Sequence, residues 1–196
     1  LAMYQRLGIS TKYIHIDESI HSGISVILID NEGRNLISVV PGANYRLSHE
    51  DIDRAEPAMR ESAIVGFQLE NQLSTVMYAV RRARALGAKV LLDPAPAVPL
   101  SDDFLAQLDY IKPNETEASI ITGIHVDGPD SAAQAGQWLV ERGVGMAIVT
   151  LGALGAVVAS AGQLQHFPAP RIHAVDTTGA GDIFSGGFMA ALARRE

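Results

Sequence analysis

The stretch VDTTGAGDIFSGGF, Val175 to Phe188, gathers carboxylates, hydroxyls and glycines where a helix should begin. Glycine inside a helix costs about 1 kcal/mol relative to alanine, yet Gly179, Gly181, Gly186 and Gly187 crowd into nine residues. Such crowding predicts that something approaches the backbone closely. Gly179, Ala180 and Gly181 would present successive N–H groups at a helix N-terminus, and free donors together with the positive dipole end form an anion site. Asp182 falls in the first turn beside them. A carboxylate there either compensates the dipole or acts as a general base, taking a hydroxyl proton while the backbone holds a phosphoryl group in transfer. The bare pattern leaves both roles open. Beyond it, Phe184, Phe188 and Leu192 recur at helical spacing as a core stripe, and Gly186 and Gly187 are expected to let the helix pack closely on a sheet.

Several other chemistries are excluded. No GxxxxGK[ST] occurs, and GxGxxG fails because Phe184 stands three places after Gly181. The 196 residues contain no cysteine, so no disulfide, thiolate metal site or cysteine nucleophile is available, which leans towards a reducing compartment. The six histidines are scattered without an i, i+4 pair, arguing against a zinc site. A net charge of −7 argues against a nucleic-acid binder. Between Arg142 and Arg171 no acidic or basic side chain occurs apart from His166, but glycines and Thr150, Gln163 and Gln165 interrupt the run. It reads as two buried strands around a glycine loop rather than a membrane span.

The elements that must position these residues follow from periodicity. The runs 23–30 and 34–40 around Asn31-Glu32-Gly33 predict a hairpin. Ser48 with Asp51 three residues on predicts a helix start running towards Arg60. Strands are predicted at 63–67, 88–93, 108–113 and 146–152. Helices are predicted over 73–86, 115–123 and 131–143, the three closed by Gly87, Gly123 and Gly143, with a last one after Gly181. Strands alternating with helices give an α/β fold, a mostly parallel sheet flanked by helices. Ligands in such sheets lie beyond the carboxyl ends of the strands. Glu70, Asp93, Asn114, Thr150, Gly152 and Asp176 all follow strands or precede the last helix.

VDTTGAGDIFSGGF resembles the C-terminal signature of the ribokinase (PfkB-type) sugar kinases. NEGRNLISVVPGAN, GFQLE, DPAPA, IKPNETEASIITGI and VTLGALGA agree with ribokinases in the same order, so the resemblance covers essentially the whole chain. It implies an α/β ribokinase-like fold with a small β lid at 23–41, a lead-in at 1–22 and a catalytic core at 42–196. It also implies ATP and Mg²⁺ as cosubstrates and transfer of the γ-phosphoryl to a sugar hydroxyl, D-ribose giving ribose 5-phosphate. Asp182 then matches the catalytic base and a substrate contact, and Gly179, Ala180 and Gly181 match the anion hole, Gly181 also contacting ATP. Asn114 and Glu117 match the NxxE motif that helps place Mg²⁺ and phosphates; read from residues alone, Glu115 and Glu117 are early-turn acids suiting a helix dipole. Thr150, Leu151, Gly152, Ala153, Leu154 and Gly155 match the ATP-contacting loop, otherwise a glycine turn between strands. Glu70 matches a sugar ligand, otherwise a surface glutamate. Asp176 and Thr178 match part of a potassium site, Asp176 otherwise being a loop cap.

The resemblance also implies a homodimer clasped through the lid strands and a cytoplasmic location. The family's first strand, a sugar-binding aspartate, a Gly-Gly-rich sugar loop and a C-terminal portion have no counterpart here. The chain is therefore expected to be a segment of a longer protein, poorly active by itself. A relative acting on fructose, deoxyribose or a nucleoside remains an alternative, as does a non-catalytic sugar- or nucleotide-binding protein on the same fold.

Overall fold

A computed structural model describes residues 1–29, 35–172, 174 and 177–194; for 27–29 and 35–38 it describes the backbone alone. A short helix α1 (Ala2–Arg6) leads by an irregular segment into β1 (Ile24–Ile29) and β2 (Asn35–Val40), an antiparallel pair standing apart from the main sheet. The predicted hairpin turn at Asn31-Glu32-Gly33 lies outside the described residues.

The expected single helix towards Arg60 is two, α2 (His49–Arg54) and α3 (Glu56–Glu61), meeting at Ala55. Pro57 explains the break: it has no N–H to donate to the Asp53 carbonyl and its ring crowds that carbonyl, whereas the first turn of a new helix accepts it well. Ser48 does cap α2: its Oγ accepts from the Asp51 N–H (3.2 Å) while the Asp51 carboxylate accepts from the Ser48 N–H (2.9 Å). β3 (Ile64–Phe67), α4 (Leu73–Ala85), β4 (Lys89–Leu92), α5 (Asp102–Leu105), β5 (Tyr110–Ile111), α6 (Glu115–Thr122), α7 (Pro129–Glu141) and β6 (Met146–Thr150) follow. α4 shows why the alternation folds this way. Val76, Ala79, Val80 and Ala83 are buried at helical spacing against β4, whose Val90, Leu91 and Leu92 are buried on both faces. Each of the larger side chains contributes about 1.5–3 kcal/mol by leaving water.

The main sheet runs β3-β4-β5-β6-β7-β8, with β7 (Ala156–Ser160) and β8 (Gln163–Phe167) completing it. β3 to β6 are mutually parallel, whereas β6, β7 and β8 pair antiparallel. The region between Arg142 and Arg171 therefore holds three strands, not two. β8 is exposed along its length, and Gly162 at φ 73° makes the tight turn into it. The last helix, α8 (Ala180–Arg194), lies against β3. Its stripe does not bury as expected: among its described residues only Ser185 is buried, Phe184 is 40% exposed and Phe188 sits edge-on to Tyr110 at 5.2 Å. Nor do Gly186 and Gly187 bring it close, since a Cβ on either would meet open space. The close approach comes from the strand: a Cβ at Gly66 would sit 2.8 Å from the Met189 sulfur.

Candidate active site

Register sets the site. Phe67, Leu92 and Ile111 are cross-strand partners at the carboxyl ends of β3, β4 and β5. The next residue on each strand, Gln68, Asp93 and Lys112, therefore stands in one row along that edge. The row continues through a parallel bridge between Asn114 and Thr150. Across from it the first turn of α8 closes a cleft of about 650 Å³, a volume ordinary for small-ligand sites.

Gly179 adopts φ 74°, a conformation that favours glycine, and lets the chain turn into the helix. Ile183 N–H donates to Gly179 O (2.9 Å) and Ala180 N–H to Thr177 O (3.1 Å), while Gly181 and Asp182 lie in the turn that has no intrahelical acceptor for its amides. Gly179, Ala180, Gly181 and Asp182 all line the cleft. The Asp182 carboxylate is exposed, at the edge of hydrogen-bond reach of Gln68 Nε2 (3.5 Å).

On the sheet side, Asn114 caps α6. Its Oδ1 accepts from the Glu117 N–H and Glu117 Oε2 accepts from the Asn114 N–H, both at 2.9 Å. This capping box turns the Glu117 carboxylate back into the cleft. Burial pushes the Glu117 carboxyl above the usual carboxylate range, outweighing the Asn114 N–H, and the Asp93 charge adds to the rise. Glu115 lines the same wall, near Gly152.

The third wall is the turn from β6 to β7. Leu151 N–H donates to Gly155 O (2.8 Å) around a 3-10 turn over Gly152–Leu154. A Cβ at Gly155 would lie 2.0 Å from Phe167 O, so only glycine fits. Thr150, Gly152 and Gly155 face the cleft. Leu151 is turned into the core beside Val149 and Val157, and its backbone closes the turn, the carbonyl accepting from the Leu154 N–H (2.9 Å). Ala153 and Leu154 are exposed on the far side of the turn.

Glu70 is exposed past the end of β3 and is not in the cleft wall; Gln68, two residues earlier, is. Thr178 is exposed next to the cleft, and Asp176 lies outside the described residues. Sequence reasoning missed Gln68, Lys112 and the Phe167–Pro170 segment that walls the cleft behind Gly155. The signal for Gln68 was available, since it directly follows the strand predicted at 63–67, whereas Lys112 falls inside the one predicted at 108–113.

A divalent cation suits this donor set. Among the described residues no three acidic or histidine side chains gather to hold a metal. The few carboxylates that line the cleft, Glu117 among them, instead fit Mg²⁺ held chiefly through waters and phosphates.

The family model described as pfkB family carbohydrate kinase matches residues 1–196. The chain is 41% identical over 182 residues to the deoxyribokinase of Salmonella typhi, covering 92% of this chain and 60% of that one. It is 38% identical over 185 residues to the ribokinase of Haemophilus influenzae, covering 94% and 60%. The structure of Arabidopsis thaliana ribokinase complexed with ribose and ATP superposes with a TM-score of 0.83 at 28% identity, over 95% of this chain and 61% of that one. The chain thus spans about three-fifths of the length of the curated relatives it matches.

Proposed function

The chain belongs to the pfkB family of carbohydrate kinases, and on that premise we propose that the protein moves the γ-phosphoryl of ATP to a hydroxyl of D-ribose, giving ribose 5-phosphate and ADP. The observation that carries this reading is one cleft with three unlike walls: a carboxylate among amides at the start of α8, the Asn114–Glu117 box, and the glycine turn between β6 and β7. A protein that only bound sugar or nucleotide would have no need of Asp182 beside an anion site.

In the reaction, Asp182 accepts the proton of the acceptor hydroxyl as its oxygen bonds to the γ-phosphorus and the bond to the β-phosphate oxygen breaks. The turn of Gly179, Ala180 and Gly181 faces the transferring group, and its amides offset charge developing on the phosphoryl oxygens, the Ala180 N–H exchanging its Thr177 acceptor for the phosphoryl group. Thr150 and the Gly152–Gly155 backbone hold the nucleotide, with Leu151, Ala153 and Leu154 shaping that turn. Asn114 and Glu117 would orient Mg²⁺, which neutralises phosphate charge. Glu70 is proposed to bind a sugar hydroxyl.

A second reading comes from the Salmonella typhi relative, named deoxyribokinase; deoxyribose is the rival acceptor, ahead of fructose or a nucleoside. Potassium activation through Asp176 and the Thr178 carbonyl, a homodimer through β1 and β2, and a cytoplasmic location with ready ATP complete the proposal. The exposed Ile24, Val26, Val39 and Val40 support the dimer. Among the described residues no helix is long and apolar enough to cross a membrane.

The test is ADP formation from Mg·ATP by the full reading frame containing this chain, with ribose, deoxyribose, fructose and inosine as acceptors. Highest kcat/KM on ribose supports the reading. Preference for deoxyribose replaces the acceptor, and no turnover on any of them refutes the kinase.

A further inference from the structure

Behind the anion turn lies a buried charge cluster that the proposed chemistry does not use. Lys112 Nζ and Ser185 Oγ both donate to one oxygen of Asp93, Oδ2, each at 2.9 Å. The Lys112 and Asp93 side chains retain only 5% and 10% of their exposure, and Ser185 is the buried residue of α8. These groups come from three elements: Asp93 from the end of β4, Lys112 from the end of β5, and Ser185 from α8 one turn beyond Asp182.

The placement runs against simple stability. A Cβ at Gly181 would sit 3.5 Å from Lys112 Nζ, so an ammonium is buried beside the amino end of a helix. The helix dipole disfavours a cation there, and taking a Lys–Asp pair out of water carries a desolvation penalty that its attraction often fails to repay. Ser185 meanwhile spends a helix position on a bond to the sheet rather than on apolar packing, although α8 buries little else. Local rules broken together in a cleft mark a site shaped for something other than stability.

We propose that Asp93 is a positioning residue: through Oδ2 it fastens the first turns of α8 to the sheet by Ser185 and holds the Lys112 ammonium against the Gly181 turn, fixing where Asp182 and the turn amides stand. This inference rests on the phosphotransfer reading and assigns to that site its positioning machinery. Among the described residues the Ser185 bond is a buried tie between the start of α8 and the sheet, while its neighbours Ile183 and Phe184 are 77% and 40% exposed. Displacing a reacting group by about 1 Å can cost about 100-fold in rate.

Ser185→Ala and Ser185→Thr separate positioning from structure, measured in the full reading frame with Mg·ATP and the best sugar acceptor. Ser185→Ala is expected to lower kcat by about 10- to 100-fold with both KM values within about two-fold, and Ser185→Thr, which restores the hydroxyl, to recover most of it. Hydrogen exchange at the Ile183 amide, read on the same proteins without substrate, is expected to speed up in Ser185→Ala and return in Ser185→Thr. Unchanged kcat in Ser185→Ala, or a loss that Ser185→Thr does not recover, overturns the proposal. So does an unchanged exchange rate, even where the wild type shows no sugar-dependent turnover. In that last case a faster exchange in Ser185→Ala leaves the pin standing while the phosphotransfer reading falls.

Discussion

At Gly155 the side chain is forbidden twice, by φ 96° and by the Phe167 carbonyl 2.0 Å from where a Cβ would be. Gly162 shares the positive φ but faces open space. Gly155→Ala should therefore lower stability by about 3 kcal/mol or more, and Gly162→Ala by about 1 kcal/mol. For a chain of this size that is a fall in Tm of about 6–12 °C against about 2–4 °C, read by thermal unfolding. Equal shifts would mean that the Gly155 turn is not seated against the β8 exit. Lys112→Met tests the buried pair in the same way: Asp93 is left with Ser185 alone, and losing one partner of a buried pair costs about 3–5 kcal/mol. The helix starts at Gly179–Asp182 and Asn114–Glu117 were legible because each is a local pattern spanning three residues. Lys112 was not. In YIKPNE it looks like a solvated charge, and its burial depends on Asp93, nineteen places earlier, through strand register that no spacing reveals.

Among the elements, the helix starts at Ser48 and Asn114 were legible, whereas the start of α3, the whole of α5 and the last strand were not. Ser48 and Asn114 each carry an acid three residues on, and both boxes form. β8 was missed because GQLQHF lacks β-branched residues; it becomes a strand by pairing with β7 around Gly162. The stripe on α8 was misjudged because amphipathic spacing states which face can be buried, not what is present to cover it. The α2 box has a pH signature. Burial works against the Asp51 carboxylate, but the Ser48 N–H and hydroxyl and the Arg54 guanidinium outweigh it and hold its pKa below the ordinary value. A carboxyl lowered on folding contributes stability above its unfolded pKa and loses it as pH falls through the lower folded one. Asp51→Asn should thus lower Tm at neutral pH and flatten the decline below about pH 4. A decline as steep as in the wild type would place the acid sensitivity elsewhere.

Over the whole molecule, the composition and the alternation of strands and helices led directly to a parallel sheet, and the cleft lies at its carboxyl edge where such sheets bind ligands. The antiparallel finish across β6, β7 and β8 was not foreseen, since connection length alone does not set strand direction. The β1–β2 pair stands off this body with Ile24 and Val26 exposed on one strand and Val39 and Val40 on the other. Val26→Lys should turn a dimer into a monomer by light scattering while leaving Tm of the main sheet within about 1–2 °C, as surface changes do; a dimer that survives it does not use this hairpin. The central claim is that Asp182 takes the acceptor proton inside an anion cleft. It is tested most directly by comparing sugar-dependent ADP formation from Mg·ATP in the full reading frame with that of Asp182→Asn, which preserves shape and removes the base. A loss of about 10²- to 10⁴-fold in kcat is expected, with ATP binding retained. A variant within a few-fold of the wild type would contradict it.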